Sequence, residues 1–202
     1  MANKTKIFLS SASQGSLEAI RQDLFDVLND IGHNPLRFED NFGPWGRDAI
    51  QKCLEKVKES DIYLLIISDK KGTYLAEEKR TVTHLEFEKA FQTDKQILVF
   101  VEQQIKNAFF NEFRSHISNR VYEFIQTHGK EPDVYLDIVR SVIEQDLDRK
   151  IKEELPSIDD YIWAFLYDVY KKGFYLESIT LARSPLQTIK EYLSDAIFSY
   201  RK

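Results

Sequence analysis

The sequence predicts an α/β protein: a parallel sheet of four or five strands flanked by helices, with a C-terminal helical extension. Three observations predict it. Short apolar runs alternate with stretches whose apolar residues recur at helical spacing, the order that right-handed βαβ crossovers require. One run, DIYLLIIS (Asp61 to Ser68), is apolar at every internal position, as a strand covered on both faces must be. The chain has 202 residues, 43% of them hydrophobic and 30% charged, which is enough core for one such domain and an addition.

KIFLS, from Lys6 to Ser10, opens as a short apolar strand. SLEAIRQDLFDVLNDIG carries Leu17, Ile20, Leu24, Leu28 and Ile31 on one helical face, and Gly32 suits the C-terminal cap. PLRFE is a second, weaker strand, followed by the loop DNFGPWG. Ala49, Ile50, Cys53, Leu54 and Val57 then mark an amphipathic helix. After the central strand a polar loop, DKKGTYLAEEKR, leads to the helix TVTHLEFEKA, and QILVFV is the fourth strand. AFFNEFRSHI and PDVYLDIVRSVIEQDL are helical. Between them Val121–Gln126 (VYEFIQ), bounded by Gly129 and Pro132 and rich in β-branched and aromatic residues, is expected as the fifth strand. That completes a flavodoxin-like domain over residues 1–150. Residues 151–202, with IDDYIWAFLYDVYKKGFYLESI and PLQTIKEYLSDAIFSY, are expected as an aromatic-rich helical pair. No Gly/Ser-rich linker precedes it, so docking against the sheet domain is favoured over a tethered tail, with a dimer or partner surface as the alternative.

Totals exclude several classes. A net charge of −5 argues against a bulk electrostatic nucleic-acid binder. A single cysteine, Cys53, rules out an internal disulfide and a cysteine-rich metal site, and its place on an apolar helix face suits core better than nucleophile. MANKTKIFLSS runs into a strand without a signal-peptide core, and no apolar run reaches membrane-spanning length. The expected setting is cytoplasmic, with no membrane partner.

In an open parallel sheet, ligands bind beyond the carboxyl ends of the strands. That places Ser10 and Ser11, Phe38, Glu39 and Asp40, and Ser68 and Asp69 at one rim, with Phe42, Trp45 and Tyr74 on the loops that follow. Small hydroxyls, carboxylates and flat side chains together suit a ribose-containing ligand. LSSASQGS has one glycine and no Lys-Ser/Thr after it, so it is not a phosphate loop; Ser13 or Ser16 is read as a helix cap, with a phosphate held at that helix's N-terminal amides as the alternative. His84 lacks a metal-ligand pattern around it, and no metal is expected.

Within TVTHLEFEKA, the stripe Thr83, Glu86, Phe87 and Ala90 shares one face. Glu86 therefore points toward the core, and Glu88, about 200° further round, points away. An inward carboxylate at a ligand rim is a candidate for chemistry. The alternative is structural: an acid in a first turn interacts with the helix dipole and caps amides.

KIFLSSASQGSLEAIRQDLFDVLNDIGHNPLRFED, CLEKVKESDIYLLIISDKKGTY and TVTHLEFEKAFQTDKQILVFV together resemble the domain-of-unknown-function family numbered 4062. That family is similar to Toll/interleukin-1-receptor (TIR) domains and to nucleoside 2-deoxyribosyltransferases. The resemblance covers roughly residues 5 to 102. It implies a glutamate four residues before a small residue that packs on the sheet, which here is Glu86 before Ala90. It matches Ser10 and Ser11 to a serine pair closing the first strand, and Gly72 to a glycine after the third. Two departures alter the rim: His84 stands where an acidic residue is usual, and Lys71 stands before Gly72 where tyrosine is usual.

By this resemblance Glu86 is the catalytic residue of a TIR-like NAD hydrolase, with Ser10, Ser11 and Gly72 as substrate-binding candidates; their place at the rim or on the Glu86 face adds Phe38, Asp40, Trp45, Asp69, Tyr74 and Thr83. NAD would be substrate, and no cofactor is expected. A homo-oligomer or a partner effector protein, in bacterial defence or stress signalling, is the implied context. A non-catalytic nucleotide-sensing or assembly module and a deoxyribosyltransferase-like enzyme stay open as alternatives.

Overall fold

The structure is a computed structural model, and it describes residues 4–12, 16–38, 47–110, 159–180 and 185–200. Strand β1 (Lys6–Ser11) is followed by helix α1 (Ser16–Asp30), β2 (Asn34–Leu36), α2 (Arg47–Glu59) and β3 (Ile62–Ile67). A small antiparallel hairpin, β4 (Tyr74–Leu75) with β5 (Arg80–Thr81), leads into α3 (Val82–Gln92) and β6 (Gln96–Glu102). Residues 103–110 form helix α4. Then come α5 (Asp160–Lys171), β7 (Leu176–Ile179) and α6 (Leu186–Tyr200).

Five strands form one sheet in the order β2-β1-β3-β6-β7, every neighbouring pair parallel. With the hairpin set aside, this is the flavodoxin-like order 2-1-3-4-5. The period-2 pattern of the strands sends alternate side chains to two separate cores. Phe8, Tyr63, Leu65, Ile67, Val99, Val101 and Leu176 face α2, α3, α4 and α5. Ile7, Leu9, Ile62, Leu64, Ile66, Phe100 and Ile179 face α1 and α6. All six residues of β3 are buried, which explains why that strand reads as an unbroken apolar run.

Among the described residues the fifth strand of the sheet is one that the sequence reading places in a helix. Val121–Gln126 lies outside the described residues. The strand that pairs with β6 is Leu176–Ile179, in a stretch expected as helix. The physical reason is Gly173: at φ +86° it adopts the left-handed conformation that ends helices, and its N–H donates to the Tyr170 carbonyl. α5 therefore stops at Lys171, and the aromatic and β-branched residues after the glycine extend. Residues 159–180 and 185–200 are accordingly docked, through a strand in the sheet and a helix on each face. Among the described residues no helix is long and apolar enough to cross a membrane.

Candidate functional site

The strand order fixes where a site belongs. From β1 the chain moves to β2 on one side, and from β3 it moves to β6 on the other, so the crevice opens between the carboxyl ends of β1 and β3. A cleft lies there. Ala12, just past β1, and Ile66 and Ile67, at the end of β3, form its floor; Lys70 and Lys71 form one wall; Thr83 of α3 and Tyr161, Ile162 and Phe165 of α5 form the other. It is small, about 10 Å³ or the room of one water, with open solvent in front of it. Gly72 holds the lysine loop close. It sits at φ +73°, and a Cβ there would lie 3.3 Å from the Ala12 Cβ. Across the mouth the Lys71 ammonium meets the Asp159 carboxylate at 3.0 Å, while the other Asp159 oxygen caps α5 by accepting from the Tyr161 N–H.

Glu86 is inward, as helical phase predicts, and only 4% exposed. The Ser10 hydroxyl donates to its Oε2 at 2.5 Å, and the Cys53 thiol donates to its Oε1 at 2.9 Å. α3 begins at Val82 with Thr81 as N-cap, so Glu86 sits beyond the first turn, and the serine and thiol partners replace the capping role considered for it. Beside it the Tyr63 hydroxyl donates to the Thr83 carbonyl at 3.4 Å. Burial, and then the nearby Glu86 charge, hold the Tyr63 proton on far above the usual tyrosine range. Glu88 turns outward to Arg80 at 2.7 Å.

The other expected site residues fall into three groups. Thr83 lines the cleft, Gly72 packs on its floor, and Ser10 holds Glu86. Four have contacts of their own. Ser11 donates to the Ala12 carbonyl at 3.3 Å; Asp69 is exposed and pairs with Lys70 at 2.6 Å; Phe38 is half-buried against the core around Phe8 and Tyr63; and Tyr74, 47% exposed, sets its edge against the Tyr161 ring. Asp40 and Trp45, with Ser13, lie outside the described residues. At the end of β6, burial and the charge of Asp69 hold Glu102 above the usual carboxylate range.

Sequence reasoning passed over the α5 wall and what it does to His84. Tyr161 Oη lies 2.7 Å from His84 Nδ1 and accepts the Thr81 N–H at 2.8 Å. His84 Nε2 lies 3.2 Å from Asp168 Oδ2, and the imidazole stacks on Phe165 with ring centres 4.4 Å apart. Burial pushes Tyr161 above the usual tyrosine range. Burial also pushes Asp168 up, but hydrogen bonds from His84 and Lys172 outweigh it and hold the carboxyl below 3.8. His84, Glu88 and Asp168 bring ligand-type atoms within 4.8 Å of one another, yet Arg80 pairs with Glu88 and Lys172 with Asp168, so the group reads as an ion-pair network. The one local signal was His84 itself, polar on a helix face near Thr83 and Phe87. Its partners are 77 and 84 positions away.

The sequence model of the family described as Domain of unknown function (DUF4062) matches residues 6–156. No curated protein matches the chain. The matched span holds Glu86, Ser10, Cys53 and the lysine loop; the α5 wall of the cleft lies beyond it.

Proposed function

Since the chain belongs to this family of domains of unknown function, whose description names no reaction, we propose its activity from its own residues: hydrolysis of the N-glycosidic bond of NAD or a related nucleotide, with release of nicotinamide in the case of NAD. The observation that carries it is the Glu86 carboxylate, withdrawn from water at the carboxyl end of β1 and fixed by Ser10 and Cys53. Nicotinamide in NAD is a cationic leaving group, so breaking its bond to ribose leaves an oxocarbenium-like centre. A fixed carboxylate stabilises that charge, by its field or by a transient sugar ester, and needs no partner acid to protonate the departing ring. O-glycosides differ, because their leaving oxygen must be protonated and two carboxyl groups are required. The similarity to TIR-like hydrolases through Glu86 and Ala90 supports the same reading. NAD is substrate here, and the context we infer is a cytoplasmic homo-oligomer or a pairing with an effector protein in bacterial defence or stress signalling.

The test is incubation with NAD and a panel of nucleosides, products being read by mass spectrometry for wild type and Glu86→Gln. Stabilisation of this kind is worth about 3–4 kcal/mol per group removed, so the variant should lose at least about a hundredfold in turnover. Equal turnover in the two proteins would remove Glu86 from the mechanism, and exchange of bases without net hydrolysis would indicate deoxyribosyl transfer.

A second reading, a nucleotide-sensing or assembly module without chemistry, has its own support. Glu86 is 4% exposed and does not line the cleft, whose walls are Thr83, the lysine loop and α5. On that reading nucleotides bind, Glu86→Gln binds them equally well, and neither protein yields product.

A further inference from the structure

The structure assigns Tyr161, His84 and Asp168 to one acid–base unit, a relay that takes a proton from a water or sugar hydroxyl held in the cleft between β1 and β3. It rests on the hydrolase reading only for the identity of that hydroxyl. The three side chains come from α3 and α5, and the two on α5 lie beyond the family's matched span.

The proton positions follow from the partners. Thr81 N–H is a donor and nothing else, so Tyr161 Oη must accept it. In the relay the tyrosine's own hydrogen lies in the 2.7 Å contact with His84 Nδ1, and Nδ1 accepts it. The single ring hydrogen therefore sits on Nε2 and points to Asp168 Oδ2 at 3.2 Å. Every donor in the chain points the same way, toward an ionised carboxylate whose other oxygen is held by Lys172. A hydroxyl, a base within hydrogen-bond reach, and a third group that orients the base form the arrangement by which side chains are activated. Tyr161 is also a wall of the cleft, and Phe165 fixes the plane of the imidazole.

The step balances. A water attacking the electron-poor ribose carbon forms a C–O bond and gives up one O–H bond; its proton goes to Tyr161 Oη as the proton of Tyr161 passes to His84 Nδ1. The imidazolium so formed is held through Nε2–H by Asp168. The other charged groups around the ring are Glu88, whose Oε1 is 4.0 Å from Nε2, and Arg80, which pairs with Glu88. The nicotinamide leaves with the electron pair of its C–N bond.

An aryl sulfonyl fluoride tests the relay without any substrate. The Tyr161 oxygen forms the S–O bond, fluoride leaves, and the phenol proton goes to His84. Labelling of the full chain is followed by peptide mass spectrometry, with Tyr175, 76% exposed, as internal reference. Tyr161 should react, and His84→Gln and Asp168→Asn should each slow it at least about tenfold relative to Tyr175, in the range that general-base assistance supplies. In wild type, labelling of free N-acetyltyrosine amide in the same tube should rise about tenfold per pH unit from 6 to 8, following its tyrosinate fraction, and Tyr161 should rise distinctly less. Absence of label on Tyr161 while Tyr175 reacts, a rate indifferent to His84→Gln, or the same pH slope at Tyr161 of the wild type and at the free amide would each overturn the relay. The wild-type slope decides the matter if the variants do not fold. With NAD as substrate, Tyr161→Phe should lower kcat at least about a hundredfold with KM nearly unchanged. Turnover abolished in Glu86→Gln but intact in Tyr161→Phe would overturn the relay and spare the reading of Glu86.

Discussion

Gly72 and Gly173 offer a controlled measurement of how tightly the lysine loop presses on the cleft floor. Both adopt positive φ, +73° and +86°, so alanine at either position is forced into the left-handed region. That conformation costs an L-residue about 1–2 kcal/mol, and stiffening of the unfolded chain by alanine returns about 0.4–1 kcal/mol of the opposite sign to the stability difference. At Gly173 nothing lies within 4 Å of the added Cβ, so the loss should be about 1 kcal/mol. At Gly72 the Cβ meets the Ala12 Cβ at 3.3 Å and the Ala12 Cα at 3.4 Å, inside the roughly 3.5–4.0 Å of an ordinary carbon contact. One of those atoms is backbone at the end of a buried strand and cannot swing aside. Crowding of this sort adds about 1 kcal/mol or more, so Gly72→Ala should lose about 2 kcal/mol. Urea unfolding followed by fluorescence, with unchanged m-values, gives both numbers as midpoint shifts. Equal losses in the two variants would refute the reasoning, because they would mean that the loop does not bear on Ala12.

Three further outcomes follow from other contacts. Phe165→Ala removes a 5%-exposed ring that stacks on His84 and meets Phe87, and should cost about 3–5 kcal/mol in the same unfolding assay. Cys53→Ser keeps a donor for Glu86 Oε1, whereas Cys53→Val removes it; the valine variant should be the less stable by about 1–3 kcal/mol, and equal melting would show that the thiol contact contributes nothing. Asp168 has a folded pKa below its unfolded one, so acid protonates the unfolded chain first. The stability it supplies is whole above about pH 4 and disappears as pH falls through the folded value. Asp168→Asn should therefore be less stable than wild type near neutrality and converge with it at low pH, and parallel curves from pH 7 to 3 would contradict that assignment.

Much of this architecture was legible because local periodicity and burial agree. Leu17, Leu24 and Leu28 declare one face of α1, and the unbroken run of β3 declares a strand covered twice. Glu86 was legible for the same reason, as its inward phase is a property of eleven consecutive residues. What could not be read was pairing across distance. Cys53 looked like core and is core, yet its thiol also reaches a carboxylate 33 positions on, because α2 and α3 lie side by side. Tyr161 and Asp168 sit one above the other on α5, but nothing in their own neighbourhood announces that a histidine on another helix fits between them. The strand Leu176–Ile179 did carry a local sign, a glycine after two lysines followed by Phe-Tyr-Leu, and the aromatic helix in front of it masked that sign.

The last strand of the sheet has an implication for biosynthesis. β6 lies at the centre of the described fold's far half, but the segment that shields its outer side is translated much later: Thr180, just past β7, bonds Gln103, just past β6, across 77 positions. At roughly 5–20 residues per second, a ribosome leaves that flank without its native neighbour for several seconds. A nascent chain halted in this window would present a bare row of amide and carbonyl groups to any other extended polypeptide nearby.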